Sequence, residues 1–156
     1  MAAQDSATAA LGQWCATRSI ADPPVIRAIV DRAATAPVTP AIRSALGVGP
    51  AEPLAYRHVR LACGNTVLSV AQNWYVPARL MPDMNRMLQA SDAPFGKVVA
   101  PLGFRRERIE ARTGRVPECP KATILSHRAV LRLSDGKAIS VVVECYTAAN
   151  LHEGHR

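Results

Sequence analysis

The sequence predicts an α+β fold in which an antiparallel sheet carries helices packed on one face. Three observations lead there. The first third of the chain carries helix start signals. Two later segments alternate apolar and polar residues around the two-residue turns Gly64-Asn65 and Asp135-Gly136. A short helical stretch lies between these hairpins. With 156 residues, 49% of them hydrophobic, the chain is one domain's worth with enough apolar content for a single core. The expected domain is 1–156, with a helical N-terminal part at 1–48 and a sheet-forming part at 54–151.

Taken in order, Asp5 or Ser6 caps a helix running to about Arg18. Asp22-Pro23 reads as a second helix start, followed by Val25, Ile26, Ile29 and Val30 at helical spacing. Thr39-Pro40 repeats the start signal and Gly47 offers a stop; residues 47–53 form a linker. Residues 56–63 and 66–76 form a hairpin across Gly64-Asn65. A helix follows Pro82, with Met84, Met87 and Leu88 on one side, and Pro94-Phe95-Gly96 reads as a loop. Residues 97–112 hold one or two strands broken by Pro101 and Gly103. Residues 115–121 are loop-like. Residues 123–133 and 138–147 make a second hairpin across Asp135-Gly136.

Composition narrows the function classes. Aromatic residues make up only 4%, which argues against a surface that stacks bases or sugars. The net charge of +7 and pI near 9.8 raise the question of nucleic acid. However, Arg105, Arg106, Arg108, Arg112 and Arg115 are interleaved with Glu107 and Glu110, and no basic tract or recognition-helix signature is present. The basic residues read as a solvated face that could also help draw in a small dianion, and no nucleic-acid partner is expected. Cys15, Cys63, Cys119 and Cys145 form no CxxC pair; Cys63 and Cys145 read as small buried hydrophobes. His58, His127, His152 and His155 make no ligand cluster with them, so no metal site is expected. No leader or membrane-spanning stretch is apparent. The expectation is a cytoplasmic protein with reduced thiols, without membrane insertion, acting as a monomer or weak dimer.

Two charged residues stand where apolar ones belong. Glu144 interrupts the apolar run 139–146, and Arg57 falls in step with Val59, Leu61 and Cys63. A buried charge is costly unless paired or bound to an opposite charge. A cation and an anion on neighbouring strands therefore suit a small anionic ligand. Glu144 is the candidate for proton transfer. Arg57 is the candidate clamp for a carboxylate. Asn73 shares a strand face with Ser69, Ala71 and Tyr75, and that face can line a cavity. The Phe95 backbone N–H can meet an anion. The plainer readings are an ion pair of Glu144 with Arg128 or Arg132 across the hairpin, and a solvent-facing Arg57.

Together these residues resemble the chorismate pyruvate-lyase family. The likeness runs from about Tyr56 to Leu151. It is carried by Tyr56-Arg57-His58-Val59, Trp74-Tyr75-Val76-Pro77, Ala93-Pro94-Phe95-Gly96, Arg106-Glu107-Arg108-Ile109-Glu110, His127-Arg128-Ala129-Val130 leading to Asp135-Gly136-Lys137, and Val143-Glu144-Cys145-Tyr146. The resemblance implies a six-stranded antiparallel sheet with helices on one side over a buried ligand cavity. It also implies elimination of pyruvate from chorismate or a close relative, leaving 4-hydroxybenzoate for ubiquinone biosynthesis, with no cofactor. By resemblance, Arg57 holds the ring carboxylate, the Phe95 amide assists, and Glu144 faces the end where the enolpyruvyl ether is cleaved. The family carries a second arginine where Asn73 stands. Two outcomes are then open: Glu144 has a raised pKa, or another cation, with Arg128 the nearest candidate, takes over beside it. The alternative is a non-catalytic binding domain of the same fold for an aromatic or cyclic carboxylate. The effector domains of a large family of bacterial transcription regulators are of that kind. The N-terminal third reads as too short for their DNA-binding winged helix.

Overall fold

In a computed structural model, which describes residues 7–151, the chain forms α1 (Ala7–Thr17), β1 (Ile26–Val30), α2 (Pro40–Leu46), β2 (Ala55–Cys63), β3 (Thr66–Tyr75), α3 (Pro82–Ala90), α4 (Phe95–Val99), β4 (Arg105–Thr113), β5 (Leu125–Arg132) and β6 (Ala138–Tyr146). The strands build one six-stranded antiparallel sheet in the order β1-β2-β3-β6-β5-β4. The α+β class and antiparallel sheet are those the sequence predicts. The proposed caps at Asp5 and Ser6, and the histidines at 152 and 155, lie outside the described residues.

Local chemistry accounts for most boundaries. Thr39 accepts a hydrogen bond from the Ile42 N–H at the start of α2, Pro40 occupies its first turn, and Gly47 ends it in the left-handed region at φ 65°. Gly64 adopts φ 60° in the β2–β3 turn, and a Cβ there would lie 2.7 Å from the Ala21 side chain, so this turn needs glycine on both counts.

Three segments differ from the sequence reading. Residues 26–30 form an edge strand, not a helix, with Ala28 opposite Leu61. Val25, Ile26, Ile29 and Val30 are β-branched, and pairing covers the edge that β2 would otherwise leave open. Pro94-Phe95-Gly96 opens α4 instead of forming a loop. Residues 105–113 are one strand with a bulge between Arg108 and Glu110.

The helices cover both sides of the sheet, not one face alone as the sequence predicts, because the alternate face of the central strands is apolar too. α3 and α4 bury Met84, Leu88, Phe95, Val98 and Val99 against Tyr75, Leu131 and Val142. α1 packs Leu11 and Cys15 against Val59, Leu61 and Cys63. On the opposite side α2 sets Ile42 and Leu46, with Val116 and Cys119 of the β4–β5 connection, against Trp74, Val130, Val143 and Cys145.

The cysteines correct another expectation. They are not free thiols: Cys15 is bonded to Cys63, tying α1 to β2, and Cys119 to Cys145, tying the β4–β5 connection to β6. Their Cα atoms stand 5.9 and 5.6 Å apart, within the usual range for a disulfide. Among the described residues no helix is long and apolar enough to cross a membrane.

Candidate functional site

Antiparallel register places Arg57 opposite Asn73, and Ala71 opposite Glu144, which in turn faces His127. Side chains of paired residues share a sheet face. Arg57, Asn73 and Glu144 therefore project toward the same side, under α3 and α4. They line one cavity of about 70 Å³. That is several times the roughly 10–15 Å³ that holds one water, so the space suits a compact organic molecule. Val59, Leu61, Val142, Phe95 and Phe104 make its apolar wall, and Pro94 and Gly96 close one side. Arg106 of β4 completes the polar lining.

Arg57 is 4% exposed. Its Nη2 donates to the Ser91 carbonyl at 3.0 Å, while Nε and Nη1 are buried with no hydrogen-bond partner among the described residues. Burial lowers the guanidinium below the ordinary arginine value; Tyr75 and Asp92 oppose that shift and Arg32 adds to it. Arg32 is itself tied down, donating to the Gln89 and Ser91 carbonyls and pairing with Asp92. The loop after α3 is thus pinned to two arginines.

Glu144 is 2% exposed and forms a two-pronged ion pair with Arg106. Nη1 donates to Oε2 at 2.8 Å and Nη2 to Oε1 at 2.5 Å. Tyr146 Oη also donates to Oε1 at 3.3 Å, and His127 Nδ1 stands 3.8 Å away. Burial raises the Tyr146 phenol, with Glu144 adding to the rise, so the phenol is neutral. Burial also lowers the His127 imidazole; Glu144 opposes this, while Arg106 and Arg108 reinforce it. His127 is accordingly neutral at pH 7.

The sequence-selected residues separate cleanly. Arg57, Asn73, Phe95 and Glu144 come together around the cavity. Asn73 accepts a hydrogen bond from the Ser140 hydroxyl. Arg128 does not join them. It projects from the opposite face, where Nη1 and Nη2 hold Glu118 and Nε reaches Glu110. Glu118 raises the Arg128 guanidinium value and is itself lowered in return. Arg132 pairs with Glu107. The cation beside Glu144 is Arg106, which sequence reasoning passed over. The signal was there in part: Arg106 and Arg108 alternate with Arg105 and Glu107. The bulge after Arg108 breaks that alternation and hides it.

A curated relative gives the family. The chain is 41% identical over 162 residues to the uncharacterized protein y4mC of Sinorhizobium fredii (strain NBRC 101917 / NGR234), covering 91% of this chain and 68% of that protein. The chain belongs to the y4mC family. No family model matches it. Among solved structures it is similar to PhnF from Mycobacterium smegmatis, with a TM-score of 0.62, 14% identity and coverage of 81% of this chain and 60% of that one. It is similar to the effector domain of PhnF, at TM-score 0.60 and 14% identity, covering 80% of this chain and 82% of that domain. It is also similar to the ligand-binding domain of a candidate GntR-family transcriptional regulator from Bordetella bronchiseptica. There the TM-score is 0.61 and the identity 16%, with 84% of this chain and 89% of that domain covered. The fold is the chorismate lyase-like fold of such GntR-type domains. The chain spans about three fifths of the full-length PhnF.

Proposed function

We propose that this chain binds a small aromatic or cyclic carboxylate in the cavity, as a non-catalytic ligand-binding domain. The observation that carries the reading is Arg57: a buried guanidinium whose Nε and Nη1 have no partner among the described residues, facing an apolar pocket. Such a group is stabilised by an anion that replaces the lost hydration. Two of the similar structures are described as an effector domain and a ligand-binding domain, which supports binding over turnover. In this reading Arg57 holds the carboxylate, Phe95 and Asn73 flank the ring, and Arg128 serves the opposite face by holding Glu118.

Elimination of pyruvate from chorismate is the second reading. It is favoured by Arg57, Phe95 and Glu144 lining one cavity, as the resemblance to chorismate pyruvate-lyases implies. It is weakened because both Glu144 oxygens already accept hydrogen bonds from Arg106.

Calorimetric titration with benzoate and 4-hydroxybenzoate, beside incubation with chorismate, separates the two. Saturable binding that is lost in Arg57→Met, with no pyruvate released, is expected. Equal release of pyruvate and 4-hydroxybenzoate, abolished in Glu144→Gln, would overturn the non-catalytic reading.

A further inference from the structure

The ionisable groups at the cavity allow the charge of its ligand to be worked out. Among the described residues three line it: Arg57, Arg106 and Glu144. Arg106 and Glu144 neutralise each other through two parallel hydrogen bonds. The groups packed behind them add no charge. His127 and Tyr146 are neutral, and Arg32 is matched by Asp92 behind Arg57. Arg108 shares the Arg106 face but is solvent-exposed and screened. The wall therefore presents one uncompensated positive charge, at Arg57, and an ion pair that is already complete.

We infer that the cavity selects monoanions: one carboxylate at Arg57, and an uncharged remainder against the Arg106–Glu144 pair. This deepens the proposed binding function and rests on it. A second anionic group on the ligand would have no counter-charge in a desolvated space. It would have to displace Glu144 from Arg106, leaving a buried carboxylate unpaired. Dicarboxylates, chorismate among them, and phosphate monoesters are thereby disfavoured. The specificity lies in Arg106, a residue of the edge strand, which occupies the carboxylate that would otherwise meet the ligand.

The test uses isosteric pairs, so that charge is separated from shape. Benzoate against benzamide compares one negative charge with none. 4-Nitrobenzoate against terephthalate compares one with two. Calorimetric titration of the wild-type chain should show 4-nitrobenzoate binding at least about tenfold more tightly than terephthalate, since an unmatched buried charge costs several kcal/mol. Glu144→Gln frees the Arg106 charge, keeps the side-chain shape, and should move the preference toward terephthalate. Terephthalate binding as tightly as 4-nitrobenzoate in the wild type would overturn the monoanion inference and leave the binding function standing. Benzamide matching benzoate, or no member of the panel binding, would overturn the binding function and this inference with it. The wild-type comparison stands whether or not the variant folds.

Discussion

Arg57→Met separates a binding residue from a structural one through the stability of the empty protein. Methionine fills a similar length without charge or donors. The wild-type side chain buries two nitrogens, Nε and Nη1, that have no partner among the described residues. Each unsatisfied buried donor costs about 1–3 kcal/mol. Against that relief stands one lost hydrogen bond to the Ser91 carbonyl, worth about 1.5–3 kcal/mol from a charged donor. The carbonyl keeps a second donor, Arg32 Nη2 at 2.8 Å. The variant is therefore expected to be about 1–3 kcal/mol more stable than wild type without ligand, with Tm several degrees higher. Its affinity for benzoate should fall by about 2–5 kcal/mol, from tens to thousands of fold. Urea unfolding and calorimetric titration read the two effects separately. A loss of more than about 1 kcal/mol in the empty protein, with benzoate affinity unchanged, would refute the reasoning and make Arg57 a structural group.

Other predictions follow from the same geometry. Arg106→Gln strands Glu144 and should destabilise by about 3–5 kcal/mol, whereas Arg106→Gln with Glu144→Gln should recover most of the loss; urea midpoints around the double-mutant cycle measure the coupling. Replacing Cys15 and Cys63 by alanine opens a loop of 48 residues and should cost about 4 kcal/mol; the 26-residue loop closed by Cys119 and Cys145 should cost about 3.5 kcal/mol. Intact mass spectrometry without reductant should find all four thiols oxidised. His127 has a lower value in the fold than in the unfolded chain, so the unfolded state binds more protons below about pH 6.5. Stability should be fully present above that pH and fall as pH drops toward the native value; thermal unfolding of wild type and His127→Gln between pH 5 and 8 should show a flatter profile for the variant.

Sequence carried the fold where the determinants are local. Gly64-Asn65 and Asp135-Gly136 announce the two hairpins, and Thr39, Pro40 and Gly47 bracket α2. Strand alternation was enough to turn Arg57 inward, and the apolar run around Glu144 was enough to bury it. What escaped depends on contacts distant in the chain. Residues 26–30 become a strand because β2 offers them an edge. Arg106 finds a partner 38 residues away, across a strand with a hidden bulge. The disulfides join cysteines 48 and 26 residues apart, with no spacing motif to connect them. Arg128 looked nearest to Glu144 across the hairpin, yet it pairs with Val143, and neighbouring strand positions point to opposite faces, so it lies on the other side.

The bulge in β4 has a consequence for how the edge of the sheet assembles. With the bulge, Arg106 stands opposite Leu131 and reaches Glu144. Were the pairing continuous from Glu110 back toward Arg105, each earlier residue would move by one position and Glu107 would take that place. Two carboxylates would then meet in a buried space, and the sheet face would lose its counter-ion. The strand is largely exposed, so apolar burial gives little guidance to its alignment. Charge supplies what hydrophobicity does not: the ion pair proofreads the last strand, admitting the bulged alignment and rejecting the slipped one.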